Sequence, residues 1–210
     1  MPNTIDELRQ EMVKMGRILF ERGLSNGSAG NLSLRGPDNT FLVTPTGCSL
    51  ASLEADSLSL LNDKGELISG AKPTKEYPFH LAFYRLNSAV NAIVHTHSAY
   101  STAYACLDHS KADQENVLTP ITPYLVMKLG HVILTPYRKP GSIKIAEDIA
   151  SHGPDSKAFL LSNHGMVVGG KNAMDALNNA TELEESCRLY FITKGCSVRP
   201  LSEEEIAELK

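Results

Sequence analysis

The chain has 210 residues, 42% hydrophobic and 21% charged, with a net charge of −4 at neutral pH. That length builds one well-packed domain rather than two, and without a basic block nucleic acid is not an expected partner. No apolar run approaches a membrane span, no basic-then-apolar leader opens the chain, and the four cysteines form no C-x-x-C pair, so the expectation is a soluble, reduced, cytoplasmic protein.

Thr4-x-x-Glu7 has capping-box spacing, and Ile5, Leu8, Met12, Met15 and Leu19 follow at helical intervals, predicting a helix that ends near Gly23. "SNGSAGN" (25–31) reads as a loop, and "NLSLR" and "FLVTP" alternate as strands around "GPDNT". "SLSLLN" and "ELISG" form a second hairpin pattern around 62–65, and 76–86 reads as a helix with proline in its first turn. A strand at 90–97 precedes a helix over 98–107. "HVILTPY" (131–137) predicts a strand, and 142–152 a helix. "KAFLLSN" and "MVVGG" are strands on either side of His164, followed by a long helix over about 173–194 and a short capped one over 202–209. Hairpins demand antiparallel pairing, so the pattern predicts one mixed, mainly antiparallel sheet with helices packed on it.

Seven histidines are present. His80 and His152 sit inside helix patterns and His109 lies in a polar loop, so all three read as structural. His95 and His97 differ. Residues two apart on a strand point the same way, so an apolar strand here ends with two imidazoles side by side. Such a pair also arises by chance. His164 interrupts "LLSNHGMVV", where Gly165 permits an unusual turn that aims the ring inward; the alternative is a polar hairpin with an incidental histidine. Three histidines from two strand ends match a catalytic zinc with one open position.

Three loops look built for an anion. "NGSAGN" offers Gly27, Gly30 and Asn31, "TPTG" (44–47) offers Thr46 and Gly47, and "KPTKE" (72–76) offers Thr74 and Lys75. Successive loop amides can cradle an anion without net positive charge, although each loop alone is also an ordinary turn. Glu76, at a predicted helix N-terminus, reads either as a cap or as a general acid/base or metal ligand.

The ordered set "NGSAGNLSLR", "VTPTG", "KPTKE", "HTH" and "NHG" resembles the class II aldolase/adducin family of zinc sugar-phosphate aldolases, over about residues 5–195. The resemblance implies a three-layer α/β/α domain spanning 1–210 around a mainly antiparallel sheet, and a homotetramer with active sites at subunit interfaces. It implies His95, His97 and His164 as zinc ligands, with Glu76 as acid/base and further metal ligand. It places the substrate phosphate against Gly30, Asn31, Thr46, Gly47, Thr74 and Lys75. The family's aldolases commonly carry Pro-Ser-Ser-Glu where this chain has Pro73-Thr74-Lys75-Glu76. Lys75 and "TPYLVMKLGHVILTPY" (122–137) are more similar to a bacterial branch that decarboxylates 3-oxo-tetronate 4-phosphates to dihydroxyacetone phosphate and CO2, through a metal-stabilised enediolate. A sugar-phosphate aldolase or 4-epimerase is the alternative, and a non-catalytic adducin-like interaction domain the remote one. Tyr124 is the candidate proton-donating tyrosine, its other reading being a packed aromatic at a strand end. Lys128 and His131 are possible site-lining residues.

Overall fold

The structure, a computed structural model, describes residues 4–209. Helix α1 (Ile5–Glu21) begins with the capping box expected of Thr4 and Glu7, and buries Leu8, Met12, Met15 and Leu19 on one side. Eight strands follow in one sheet: β1 (Asn31–Arg35), β2 (Phe41–Val43), β3 (Ser59–Leu61), β4 (Leu67–Ser69), β5 (Ala92–Thr96), β6 (Ile133–Thr135), β7 (Ala158–Leu161) and β8 (Gly165–Gly170). Their order across the sheet is β4-β3-β2-β1-β5-β8-β7-β6. Every pairing is antiparallel except β6 with β7. The expected mixed, mainly antiparallel sheet is the one observed.

The central strand explains why the sheet needs helices on both faces. Ala92 and Val94 of β5 join one apolar cluster, while Ile93 between them joins another. A strand buried on both sides must be covered on both sides. Helices α2 (Tyr77–Leu86) and α5 (Ile143–Ala150) pack with Ile93, Phe159 and Val167 on one face. Helices α1, α3 (Ala99–Ala105), α4 (Pro123–Leu129) and α6 (Ala173–Thr193) share the other face with Val94, Leu160 and Val168. The chain closes with α7 (Glu203–Ala207), capped by Ser202 and Glu205. These are the three layers of an α/β/α fold.

Helix α4 departs from the sequence reading, which gave 122–137 no helix. Thr122 is its N-cap residue, Pro123 opens its first turn, and Gly130 stops it at φ 74°. Proline at a helix start and a left-handed glycine at its end are ordinary boundary signals. The short apolar run between them obscures the period. Tyr124 therefore stands on a helix, not at a strand end, and is 59% exposed. The predicted strands at 41–45 and 131–137 are also trimmed, to three residues each.

Candidate active site

Strand β5 supplies His95 and, one residue beyond its end, His97. Register places His95 opposite Asn31 of β1 and Val167 of β8, at the middle of the sheet. His164 comes from the turn joining β7 to β8. The three rings sit with centroids 4.7–4.9 Å apart, and one nitrogen of each lies within 4.8 Å of the others. The turn achieves this differently from expectation. The left-handed residue is Asn163 (φ 56°), not Gly165. Gly165 is needed because a Cβ there would lie 2.5 Å from the Thr96 carbonyl and 3.0 Å from the His97 ring.

Glu76 lies immediately before α2, yet its side chain makes no capping hydrogen bond to that helix. Instead Oε2 accepts a 2.8 Å hydrogen bond from Asn31 Nδ2 and stands 3.3 Å from His95 Nε2, while Oε1 stands 3.5 Å from His164 Nε2. Burial opposes ionisation of this carboxyl, but the His95 hydrogen bond and charge, followed by Asn31 and His164, bring the net direction down. Burial and the neighbouring His95 lower His97 and His164 to about 4, with Glu76 opposing them, so both rings are neutral near pH 7.

These groups fit a divalent metal. His95 Nδ1 bonds the Met166 carbonyl at 2.8 Å, so in the metal-binding form of the ring Nδ1 keeps its proton and Nε2, facing the cluster, exchanges its own for the ion. His95 and His97 bring their Nε2 atoms to 3.1 Å. Glu76 Oε1 and His164 Nε2 are buried without a hydrogen-bond partner. A tetrahedral ion with nitrogen ligands at roughly 2.0–2.1 Å separates its ligands by about 3.3 Å. The observed spacings of 3.1, 3.3 and 3.5 Å bracket that figure.

Above the cluster opens a polar cleft of about 300 Å³, lined by the predicted Gly30, Asn31, Thr46, Gly47, Thr74, Lys75, Glu76, His97 and His164. His95 lies beneath, fully buried. Some expected contributions change on inspection. Gly30 (φ 88°) allows a close backbone approach, since a Cβ would come within 2.6 Å of the His95 carbonyl. The amides of Thr46 and Thr74 are spent on the Lys72 and Thr44 carbonyls; the Thr74 hydroxyl oxygen accepts from the Glu76 N–H at 3.3 Å, so Thr74 keeps its O–H donor and Thr46 its whole hydroxyl for a ligand. Asn31 gives its oxygen to His80 and one N–H to Glu76, leaving one N–H to offer.

Tyr124, Lys128 and His131 do not line this cleft. Lys128 instead borders a separate hollow with Lys157 and Lys171. The sequence reading missed Pro140 and Gly141, which lie on the rim; Gly141 (φ 80°) would bring a Cβ to 3.4 Å from that of Lys75. A Pro-Gly pair flags a turn, but nothing local says what the turn faces. It also missed His80, which hydrogen-bonds Asn31 from inside the core.

Three imidazoles and a carboxylate converging beneath a polar cleft give this α/β/α protein a cluster that could hold a metal ion. The chain belongs to the class II aldolase and adducin N-terminal domain family, whose model matches residues 10–191. It is 49% identical over 203 residues to the 3-oxo-tetronate 4-phosphate decarboxylase of Escherichia coli K12, covering 97% of this chain and 95% of that protein. It is 36% identical over 182 residues to an L-fuculose phosphate aldolase of Methanococcus maripaludis, covering 87% of this chain and 95% of that one. Among solved structures, YgbL from Klebsiella pneumoniae superposes with a TM-score of 0.95 at 48% identity, covering 99% of both chains. Among the described residues, no helix is long and apolar enough to cross a membrane.

Proposed function

We propose that this chain is a metal-dependent carboxy-lyase that converts a 3-oxo-tetronate 4-phosphate to dihydroxyacetone phosphate and CO2. The observation that carries the reading is the trio His95, His97 and His164, with Glu76 at 3.3 and 3.5 Å from two of them. Near-full-length likeness to the E. coli decarboxylase supports the substrate class. A zinc ion held by the three histidines, with Glu76 beside it, would supply a Lewis acid that draws electron density toward the substrate's C3 carbonyl.

The chain's own residues account for the rest. The bond that breaks is C1–C2; its electron pair moves into a C2–C3 double bond as the C3 oxygen gains charge. One proton is then consumed at C2. Glu76 Oε1 has no hydrogen-bond partner, and it is the atom assigned to pass that proton on. Thr46, Gly47 and Thr74 hold the phosphate, with the remaining N–H of Asn31 and the Gly30 turn beside it. Lys75 supplies the cation that a substrate with both carboxylate and phosphate requires. Tyr124, exposed and outside its own chain's cleft, is assigned to the cleft of a neighbouring copy, in keeping with a homotetramer.

The second reading, a sugar-phosphate aldolase, is favoured by the likeness to the M. maripaludis enzyme. Two parallel assays separate them. Incubation with a 3-oxo-tetronate 4-phosphate is expected to release CO2 and dihydroxyacetone phosphate in equal amounts, while cleavage of L-fuculose 1-phosphate is negligible. Efficient cleavage of the sugar phosphate with no CO2 from the oxo acid would replace the decarboxylase reading with the aldolase one.

A further inference from the structure

Behind Glu76, four side chains form one continuous hydrogen-bonded line into the core. Tyr84 Oη meets Ser33 Oγ at 2.8 Å, and Ser33 Oγ meets His80 Nδ1 at 2.7 Å. His80 Nε2 meets Asn31 Oδ1 at 2.5 Å, and Asn31 Nδ2 reaches Glu76 Oε2 at 2.8 Å. Ser33 and His80 are fully buried, Tyr84 and Asn31 nearly so. Ser33 and Asn31 come from the same face of β1, and His80 and Tyr84 from successive turns of α2. Two elements thus converge on one carboxylate.

We propose that His80 is a positioning residue, which fixes the orientation of the Asn31 amide and thereby presents Glu76 to the substrate. The argument is one of donors and acceptors. An ionised carboxylate only accepts, so Asn31 must turn its NH2 toward Glu76 and its oxygen toward His80. That oxygen only accepts, so His80 must carry its proton on Nε2. His80 Nδ1 is then the acceptor for the Ser33 hydroxyl, whose oxygen accepts from the Tyr84 phenol. Reversing any link places two acceptors or two donors face to face. Burial lowers His80 to about 3 and raises Tyr84, so the ring stays neutral and the phenol stays protonated, as this direction requires. Phe79 stacks on the His80 ring with centroids 4.6 Å apart, closing its other freedom. All four donors point one way, toward Glu76. Without the His80 donor nothing anchors the Asn31 oxygen, and the amide is free to swing out of line with the Glu76 carboxylate.

The inference rests on the reading of Glu76 as the proton-transfer group, so Glu76→Gln is measured alongside. His80→Phe keeps the stack and removes the donor. It is expected to lower kcat at least tenfold while KM and bound metal stay within about twofold of wild type. His80→Gln, whose side-chain amide can donate to Asn31 and accept from Ser33, is expected to recover kcat to within about threefold of wild type. In the Asn31→Ala background, adding His80→Phe is expected to change kcat less than twofold, because a residue that acts through Asn31 has nothing left to act on. Should His80→Phe fail to fold, Ser33→Ala and His80→Gln carry the test, with Ser33→Ala expected to lower kcat at least threefold at unchanged KM. A His80→Phe enzyme with reduced Tm but wild-type kcat would overturn the inference, as would penalties that multiply in the double variant, or a Ser33→Ala enzyme at wild-type kcat if that variant has to carry the test. An inactive Glu76→Gln beside a fully active His80→Phe would overturn it while leaving the reading of Glu76 intact. A Glu76→Gln enzyme at wild-type rate would remove that reading, and the inference with it.

Discussion

Lys75 is exposed at the cleft beside Glu76, and the Pro140–Gly141 turn lies against it. An exposed lysine is ordinarily solvated and nearly neutral for folding. A contribution to turnover is therefore cleanly separable from stability. Lys75→Ser is expected to leave the unfolding midpoint unchanged and to reduce kcat/KM for the oxo acid more than tenfold, equivalent to about 1.4 kcal/mol of transition-state stabilisation. Steady-state assay beside a urea melt reads both, and equal kcat/KM values would return Lys75 to the solvent. His80 yields a second expectation. Its ordinary value near 6.5 falls to about 3 in the fold, so between those values the unfolded chain binds a proton that the native chain refuses. The stability this residue contributes is present above pH 6.5 and is lost as pH falls toward 3, with a slope of up to about 1.4 kcal/mol per pH unit. Urea midpoints at pH 7 and pH 5 should therefore fall less in His80→Gln than in wild type. Parallel falls in the two proteins would contradict this.

At the level of elements, β5 shows what the amino-acid order makes legible. An apolar strand ending in His-Thr-His declares a shared face through its two-residue period, and the structure brings those two rings together. What that order cannot express is register. Nothing local in "NLSLR" says that Asn31 will pair opposite His95, or that Ser33 and His80 will meet behind it. Helix α2 hid its role for a related reason: Phe79 to Tyr84 are all buried, so a histidine among them reads as core filling. Helix α4 was missed because its seven residues are too few to display a period. The β7–β8 turn gives the element-level test. Gly165→Ala forces a Cβ toward the Thr96 carbonyl at 2.5 Å and the His97 ring at 3.0 Å. Overpacking of this kind costs about 1–3 kcal/mol, and here it should also displace His97. The variant is expected to show a lower urea midpoint and weaker metal retention during dialysis; retention equal to wild type would mean that the close approach relaxes without moving the ring.

Across the whole molecule, the sheet's antiparallel centre does the assembling. β1, β5 and the β7–β8 turn bring Asn31, His95 and His164 together from segments 64 to 133 residues apart in sequence, while α2 enters from one face carrying Glu76 at its start. Helices on both faces pack against these strands, the kind of support that a site needing sub-ångström placement requires. The mixed, mainly antiparallel sheet followed from the hairpin signals, and its three-layer form from the family resemblance. The cleft did not, because it is made where loops distant in sequence meet at one edge of the sheet. The central claim is that the three histidines hold a metal on which turnover depends. The direct measurement is elemental analysis of untagged protein, paired with the CO2-release assay, for wild type and His97→Ala. About one divalent ion per chain, with metal and activity lost together in His97→Ala, is the predicted result; wild-type protein that is metal-free yet turns over at full rate would contradict it.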